Sequence, residues 1–264
     1  FHFWIPDVYK QISFKIVAYL ATVPKLAAIS LLARIWKVYI LPTHPYSRTL
    51  QDLLILAALL TLLIGHIAAL RQKHPRDILI YGSIAQGGWL LTGILVSTIH
   101  APVLSYYGCI YGIMTIAAWH GLQCLQVSSL HPTVTDYQGM GWKEPWISIG
   151  WMIALLALIG LPPTAGFTAK FFILTGLWNQ AQVMKSNLLE TLWLASLLGS
   201  LLAVYYYLKI PYILFFKAGK QSTAHAFTPS YFQYFIFLVL LLLLIGIFFL
   251  GNRVMDVFPH LLDS

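Results

Sequence analysis

Charge is scarce in this sequence. Only 9% of its 264 residues are Asp, Glu, Lys or Arg, against about 25% in a soluble domain. With 59% hydrophobic residues and a mean hydropathy of +0.77, the chain cannot cover itself with polar surface, which excludes a water-soluble globule. Apolar and polar residues do not alternate along its long runs, which excludes a membrane barrel. Cysteine is nearly absent. Cys109 and Cys124 share one apolar segment and would lie about 22 Å apart on a helix axis. That is too far for a disulfide, and both are expected to be buried packing residues. No CxxC pair and no Cys/His cluster occurs, so no zinc or iron–sulfur site is expected in this chain. Acidic residues are the sparsest charges of all. Asp7, Asp52, Asp77, Asp136, Glu144, Glu190, Asp256 and Asp263 all stand outside the apolar core of those runs.

What is there instead is a series of apolar runs near 16–36, 52–70, 78–98, 103–126, 145–178, 188–208 and 231–250. Most reach the roughly 18–20 residues that a helix needs to cross a bilayer. The expected fold is therefore an all-α, polytopic transmembrane bundle of about seven spans. The fifth run is too long for one straight crossing and is interrupted by Gly160, Pro162, Pro163 and Gly166. Prolines remove backbone donors and clash with the preceding turn, so this helix must break. A break at membrane depth survives only where protein or a polar cavity surrounds it. Residues 1–208 read as the main membrane domain, and 209–264 as a loop and a final helix.

The net charge of +8 falls mostly in short loops, so it reports topology rather than nucleic-acid binding. Lys10, Lys15, Arg71, Lys73, Arg76, Lys143, Lys209, Lys217 and Lys220 lie on the N-terminal side; Lys37, Arg48, Lys185 and Arg253, with Arg34 near the edge, lie on the other. That asymmetry places the N-terminal side in the cytoplasm or matrix. The opening FHFWIPDVYK reads as the interior of a longer protein, and a longer parent is expected.

Two cations break the pattern. Lys25 and Lys170 sit inside apolar runs, where a charge costs about 2.5–3.5 kcal/mol on insertion scales. Fold stability rarely needs such a residue, so both are candidate charge-handling sites inside a membrane. A lysine deprived of water gives up its proton more readily. Lys25 lies roughly 14 Å into its run by helix rise, too deep to snorkel cheaply. Pro24 frees a carbonyl one turn back, and that carbonyl, the Thr22 hydroxyl or water is the expected partner of the ammonium. Lys170 follows the broken helix directly, an arrangement that builds ion sites in transporters.

Histidine titrates near neutral pH and suits a relay. His120, in AAWHGLQC, is expected to be the deepest, with small neighbours leaving room for water; His66 is a second candidate relay, and His100 is expected in a turn. A membrane histidine can equally serve as a hydrogen-bonded packing residue. Arg76 and Asp77 read as an interfacial charge pair, Tyr205, Tyr206, Tyr207 and Lys209 as an aromatic belt, and several of the nine tryptophans as interface residues.

The opening FHFWIPDVY, followed by YLATVPKLAAISLLAR, resembles subunit N of respiratory complex I, the proton-pumping NADH:quinone oxidoreductase. GHIAALRQKHPRDILIYGSIAQGGWLL, LIGLPPTAGFTAKFFIL and AVYYYLKI resemble, in order, further helices of that antiporter-like family. The resemblance implies a parent of about fourteen spans, of which this chain would be the eighth to fourteenth. It implies that Lys25 is a central lysine and Lys170 the lysine of an outward half-channel. An acidic residue and another lysine would lie upstream. It implies other complex I membrane subunits and the lipid bilayer as partners, with no nucleic acid, in a bacterial inner or mitochondrial inner membrane. NAD, FMN, iron–sulfur clusters and quinone are implied for the complex, not for this chain. The alternative is a subunit of a multisubunit cation/proton antiporter or a membrane-bound hydrogenase. A third reading is a truncated, inactive scaffold. Two departures stand out: KQISFK replaces the family's Gly–Ala–Pro–x–Pro stretch, and Gln86 stands where relatives often have histidine.

Overall fold

A computed structural model describes residues 4–39, 46–97, 101–127, 132–217 and 230–262, the last of these beyond Gly251 by backbone alone. His100 and Lys220 lie outside the described residues. Every long element is a helix, as internal satisfaction of backbone groups in lipid requires. In order they are α1 (Trp4–Gln11), α2 (Phe14–Tyr39), α3 (Ser47–Leu70), α4 (Pro75–Val96), α5 (Ala101–Cys124), α6 (Met140–Lys143), α7 (Pro145–Ile159), α8 (Ala165–Met184), α9 (Asn187–Phe216) and α10 (Tyr231–Leu262), with a 3-10 turn at Val134–Tyr137. The helices α2, α3, α4, α9 and α10 are each long and apolar enough to cross a membrane. Among the described residues, these with α5 and the broken pair α7–α8 correspond to the seven apolar runs, and the chain is an integral, multi-pass membrane protein.

Contacts between connections agree with that alternation. Trp142 Nε1 donates to Phe215 O at 2.9 Å, and His120 Nε2 approaches Gln233 O at 3.2 Å, so the starts of α7 and α10 and the end of α9 share one end. Gln51 Nε2 reaches Met184 Sδ at 3.3 Å at the other.

The helix α4 is the most buried crossing and packs against α2, α3, α5, α8 and α9. Its sequence explains this. IYGSIAQGGWLLTG puts small residues on several faces, and small residues let helices approach closely in lipid. A Cβ on Gly82 would lie 2.0 Å from the Tyr207 hydroxyl, and one on Gly88 2.6 Å from Leu62 Cγ. Large aromatic side chains fill the remaining space. Trp89, Trp119 and Trp151 are fully buried, whereas Trp142 and Trp146 are exposed. The tryptophans therefore divide between the core and exposed positions.

Four further expectations are corrected. Tyr206 and Tyr207 are core residues, and only Tyr205 faces outward; glycines on α4 and α3-facing space on α9 draw the other two inward. Cys109 is exposed while Cys124 is buried, so only the second is a buried packing residue. The helix α9 runs to Phe216 rather than ending near 208, since IPYILFF stays apolar and Pro211 is accommodated in the buried interior. Arg76 is more than an interfacial charge. Its guanidinium donates to Tyr9 O at 2.7 Å and also to Ile12 O, and it stacks 4.8 Å over the Phe14 ring. It thus caps the orphan carbonyls at the end of α1, while Lys10 pairs with Asp77 at 3.5 Å. Arg76→Ala is expected to release α1 from α4 and cost about 2 kcal/mol, the scale of a charged hydrogen-bond set. Faster proteolysis after Tyr9 or Lys10 in detergent would report it.

Candidate functional site

The break between α7 and α8 builds the first half of the site. Gly160 takes φ +86° and closes α7. The last four carbonyls of a helix have no partner of their own. Here Leu156 O receives the Gly160 and Leu161 amides at 2.9 and 3.1 Å, and Ala157 O lies against Gly166. Leu158 O and Ile159 O receive Lys170 Nζ at 2.8 and 3.0 Å. The ammonium also lies over the Trp89 ring, 4.9 Å from its centroid. Lys170 is only 3% exposed. A helix C-terminus is the negative end of its dipole, so a cation is favoured there without any carboxylate.

Lys25 is built the same way from different parts. Its Nζ donates to Ser83 O at 2.8 Å and Ser83 Oγ at 2.7 Å, and lies 5.4 Å from the Tyr111 ring centroid. The expected local partner is corrected. Thr22 Oγ1 bonds back to Ala18 O at 2.7 Å, so α4 rather than α2 supplies the acceptors. Tyr111 in turn donates to Ala21 O at 2.6 Å. Each lysine therefore has two neutral oxygens and one aromatic face. An amine that loses one proton keeps enough N–H groups for both oxygens. Among the described residues the one ion pair is Lys10–Asp77, remote from both in sequence and at the α1 end.

The central helix joins the two lysines. Ser83 and Gln86 are three residues apart on α4 and share a face. Gln86 Nε2 donates to Leu158 O at 2.8 Å, the carbonyl that also receives Lys170, and Tyr107 donates to Gln86 Oε1 at 2.5 Å. A small cavity lies between, lined by Ser83, Gln86, Thr115, Leu158 and Tyr207, with about 10 Å³ in which the centre of a water can sit. Polar cavities open toward both ends. One of about 390 Å³ includes Lys10, His74, Arg76, Asp77 and Tyr137; one of about 650 Å³ includes Arg48, Gln51, Asp52, Gln180 and Lys185. Tyr9 is buried where α1 meets this region, and burial, then Tyr111, pushes its phenol up to about 12.

The family model described as NADH:quinone oxidoreductase/Mrp antiporter, TM matches residues 1–202. The chain belongs to this family. NADH-quinone oxidoreductase subunit N 2 of Chloroherpeton thalassium is 31% identical over 259 residues, 94% of this chain and 49% of that protein. A chain in respiratory complex I from Thermus thermophilus with bound aureothin superposes with a TM-score of 0.78 at 27% identity, covering 97% of this chain and 54% of that one. A chain of the Mrp complex from Dietzia superposes equally well, at 0.78, but at 16% identity over 96% and 53% of the two chains, which speaks to fold alone. The chain spans about half the length of the curated relatives it matches.

Within this antiporter-like chain the histidines fall apart from one another. His66 is 1% exposed, with Nδ1 3.1 Å from the Tyr206 hydroxyl. His120 is less buried than His66, near the start of α10, with Cys124 Sγ at 3.6 Å and the Phe237 ring tilted against it at 5.5 Å. His66, not His120, is the deeper of the two. The space beside His120 is filled as well, since a Cβ on Gly121 would lie 2.6 Å from Trp151 Cδ1. Ser83, Tyr107, Tyr111 and Trp89 complete the site and were not singled out by sequence. The run of small residues around Ser83 was the available signal.

Proposed function

We propose that this chain is part of the proton-translocating membrane subunit of an NADH:quinone oxidoreductase in a bacterial inner membrane, with Lys25 and Lys170 carrying the proton. NADH oxidation and quinone reduction belong to other subunits, and the other membrane subunits of that complex are its partners. The observation that carries this reading is the pair of amines, Lys170 buried and Lys25 half-buried, each held by neutral oxygens beside a ring and joined along one face of α4 through Ser83 and Gln86. A carboxylate partner would hold the proton in place; carbonyls and a hydroxyl let it leave. Unit charges about 10 Å apart interact by about 1.7 kcal/mol at an effective dielectric near 20. That exceeds the value of one pKa unit, so a charge arriving at one amine biases the other. Alternating occupancy then moves one proton from the cavity at the α1 end toward the cavity at the α8–α9 end.

Lys25→Ala in the full-length subunit, within its complex, is expected to lower proton translocation about tenfold, the worth of one such unit, with NADH oxidation less affected. Proton uptake per electron in sealed vesicles measures it, and an unchanged ratio would overturn the role of Lys25. Co-purification with a NADH-oxidising arm separates this reading from a stand-alone antiporter.

A further inference from the structure

We infer that Gln86 is a positioning residue for proton release at Lys170: its amide shares Leu158 O with the ammonium and keeps that carbonyl aimed and satisfied while the charge is gone. This rests on the reading of Lys170 as a proton carrier and adds what steadies the break between α7 and α8 through each cycle.

Leu158 stands in the last turn of α7, where backbone carbonyls lack a donor from their own helix. A carbonyl oxygen has two lone pairs, and both are taken here. Lys170 Nζ donates to Leu158 O at 2.8 Å from α8, and Gln86 Nε2 donates to it at 2.8 Å from α4. That contact fixes the orientation of the Gln86 amide. A carbonyl can only accept, so the NH2 end faces Leu158. Oε1 is left for the Tyr107 hydroxyl, which donates at 2.5 Å from α5. The groups form one directed chain, from Tyr107 to Gln86 to Leu158 O, through three helices. Gln86 is 1% exposed and Tyr107 0%. Bulk water does not compete for these bonds, and at low local dielectric they are strong when made and costly when lost.

The two donors differ in kind. The bond from lysine is charge-assisted and loses about half its strength when the amine becomes neutral. The glutamine amide does not titrate, so its bond is the same in both states. Without it, Leu158 O would depend on a donor that weakens at every turnover, and a buried carbonyl left without a partner is destabilising. With it, the neutral state of Lys170 leaves no orphan oxygen at Leu158, and α7 keeps its end where the returning proton needs it. Gln86 takes no proton itself. It also lines the small cavity beside Ser83, whose oxygens receive Lys25. The polar connection between the two amines therefore passes the side chain that holds the carbonyl.

Gln86→Met and Gln86→His, made in the full-length subunit and assayed in the assembled complex in sealed vesicles, test this. Methionine is unbranched and fills the space without an amide; histidine keeps one donor and one acceptor. Gln86→Met is expected to slow proton translocation about tenfold, the rate equivalent of one hydrogen bond. Gln86→His is expected to restore it to within about threefold of the parent. A residue that only fills space would give the opposite order. Thermal unfolding of the complex is the second readout. Lys170→Met and Gln86→Met each leave Leu158 O one donor, whereas the double variant leaves none. Its loss of thermal stability is expected to exceed the sum of the single losses. If Gln86→Met does not assemble, Tyr107→Phe releases the amide while keeping the ring, and is expected to slow translocation about threefold. Parent rates in Gln86→Met, or in Tyr107→Phe in its place, would overturn positioning by Gln86 and leave the lysines untouched. Equal rates in the methionine and histidine variants, or additive losses of stability, would do the same. Parent rates in Lys170→Met as well would instead overturn the reading beneath it.

Discussion

Lys170→Met is expected to stop proton translocation, by about 100-fold or more, the loss typical when a side chain that transfers a proton is removed. The variant should still assemble. Methionine keeps an unbranched stem of similar length, and that stem fills the space beside Gly160, where a Cβ would lie 2.8 Å from Lys170 Cδ. Leu158 O retains the Gln86 amide. Ile159 O loses the lysine, and an unsatisfied buried carbonyl costs about 1–3 kcal/mol, which a large membrane complex can absorb. Lys170→Arg separates charge from exchange. A guanidinium can still donate to both carbonyls but does not lose its proton. It should therefore abolish translocation while preserving a cation at the break, at an overpacking cost of about 1–3 kcal/mol. Quenching of a pH-sensitive dye in sealed vesicles, normalised to assembled complex on a native gel, reads both. Normal quenching in Lys170→Met would remove Lys170 from the path.

The parts of this site that sequence revealed are those that violate a rule. Lys25 and Lys170 stood out because charge is costly in apolar runs, and the break stood out because Pro162 and Pro163 cannot continue a helix. What surrounds the amines was silent for physical reasons. The acceptors at Lys170 are the carbonyls of Leu158 and Ile159, and a backbone oxygen leaves no mark on residue identity. Ser83 is one small polar residue among several on α4, and only the crossing with α2 decides that it meets Lys25. Tyr206 and Tyr207 looked like a belt because three adjacent tyrosines at a helix end fit one. Their burial depends on Gly82 of a distant helix and on His66, a pairing that a single sequence does not display. His120 was misplaced in depth because its small neighbours suggested room, whereas Trp151 occupies it. The seven apolar runs themselves were legible as helices, since length and hydropathy in lipid leave a helix few alternatives.

Gly166→Ala tests the break as a piece of engineering. The added Cβ would lie 1.9 Å from Ala157 O and 2.8 Å from Ala157 C. These are backbone atoms, so no rotamer change relieves the contact. The first turn of α8 must move away from the last turn of α7, at a cost of about 3 kcal/mol, the upper part of the range for overpacking. The functional loss should be larger than the stability loss suggests. Lys170 sits one turn beyond Gly166, and its two carbonyls sit just beyond Ala157, so the shift separates donor and acceptors directly. Misplacement by about 1 Å can cost 100-fold in a positioned reaction. The control is Gly87→Ala on α4, where the nearest atom to the new Cβ is Thr61 Cγ2 at an ordinary 3.9 Å; it should change stability by no more than about 0.5 kcal/mol. Thermal unfolding of the solubilised complex and proton flux in vesicles give the two readouts. If Gly166→Ala matched Gly87→Ala in both, the close approach of α8 to the end of α7 would not be what holds Lys170 in place.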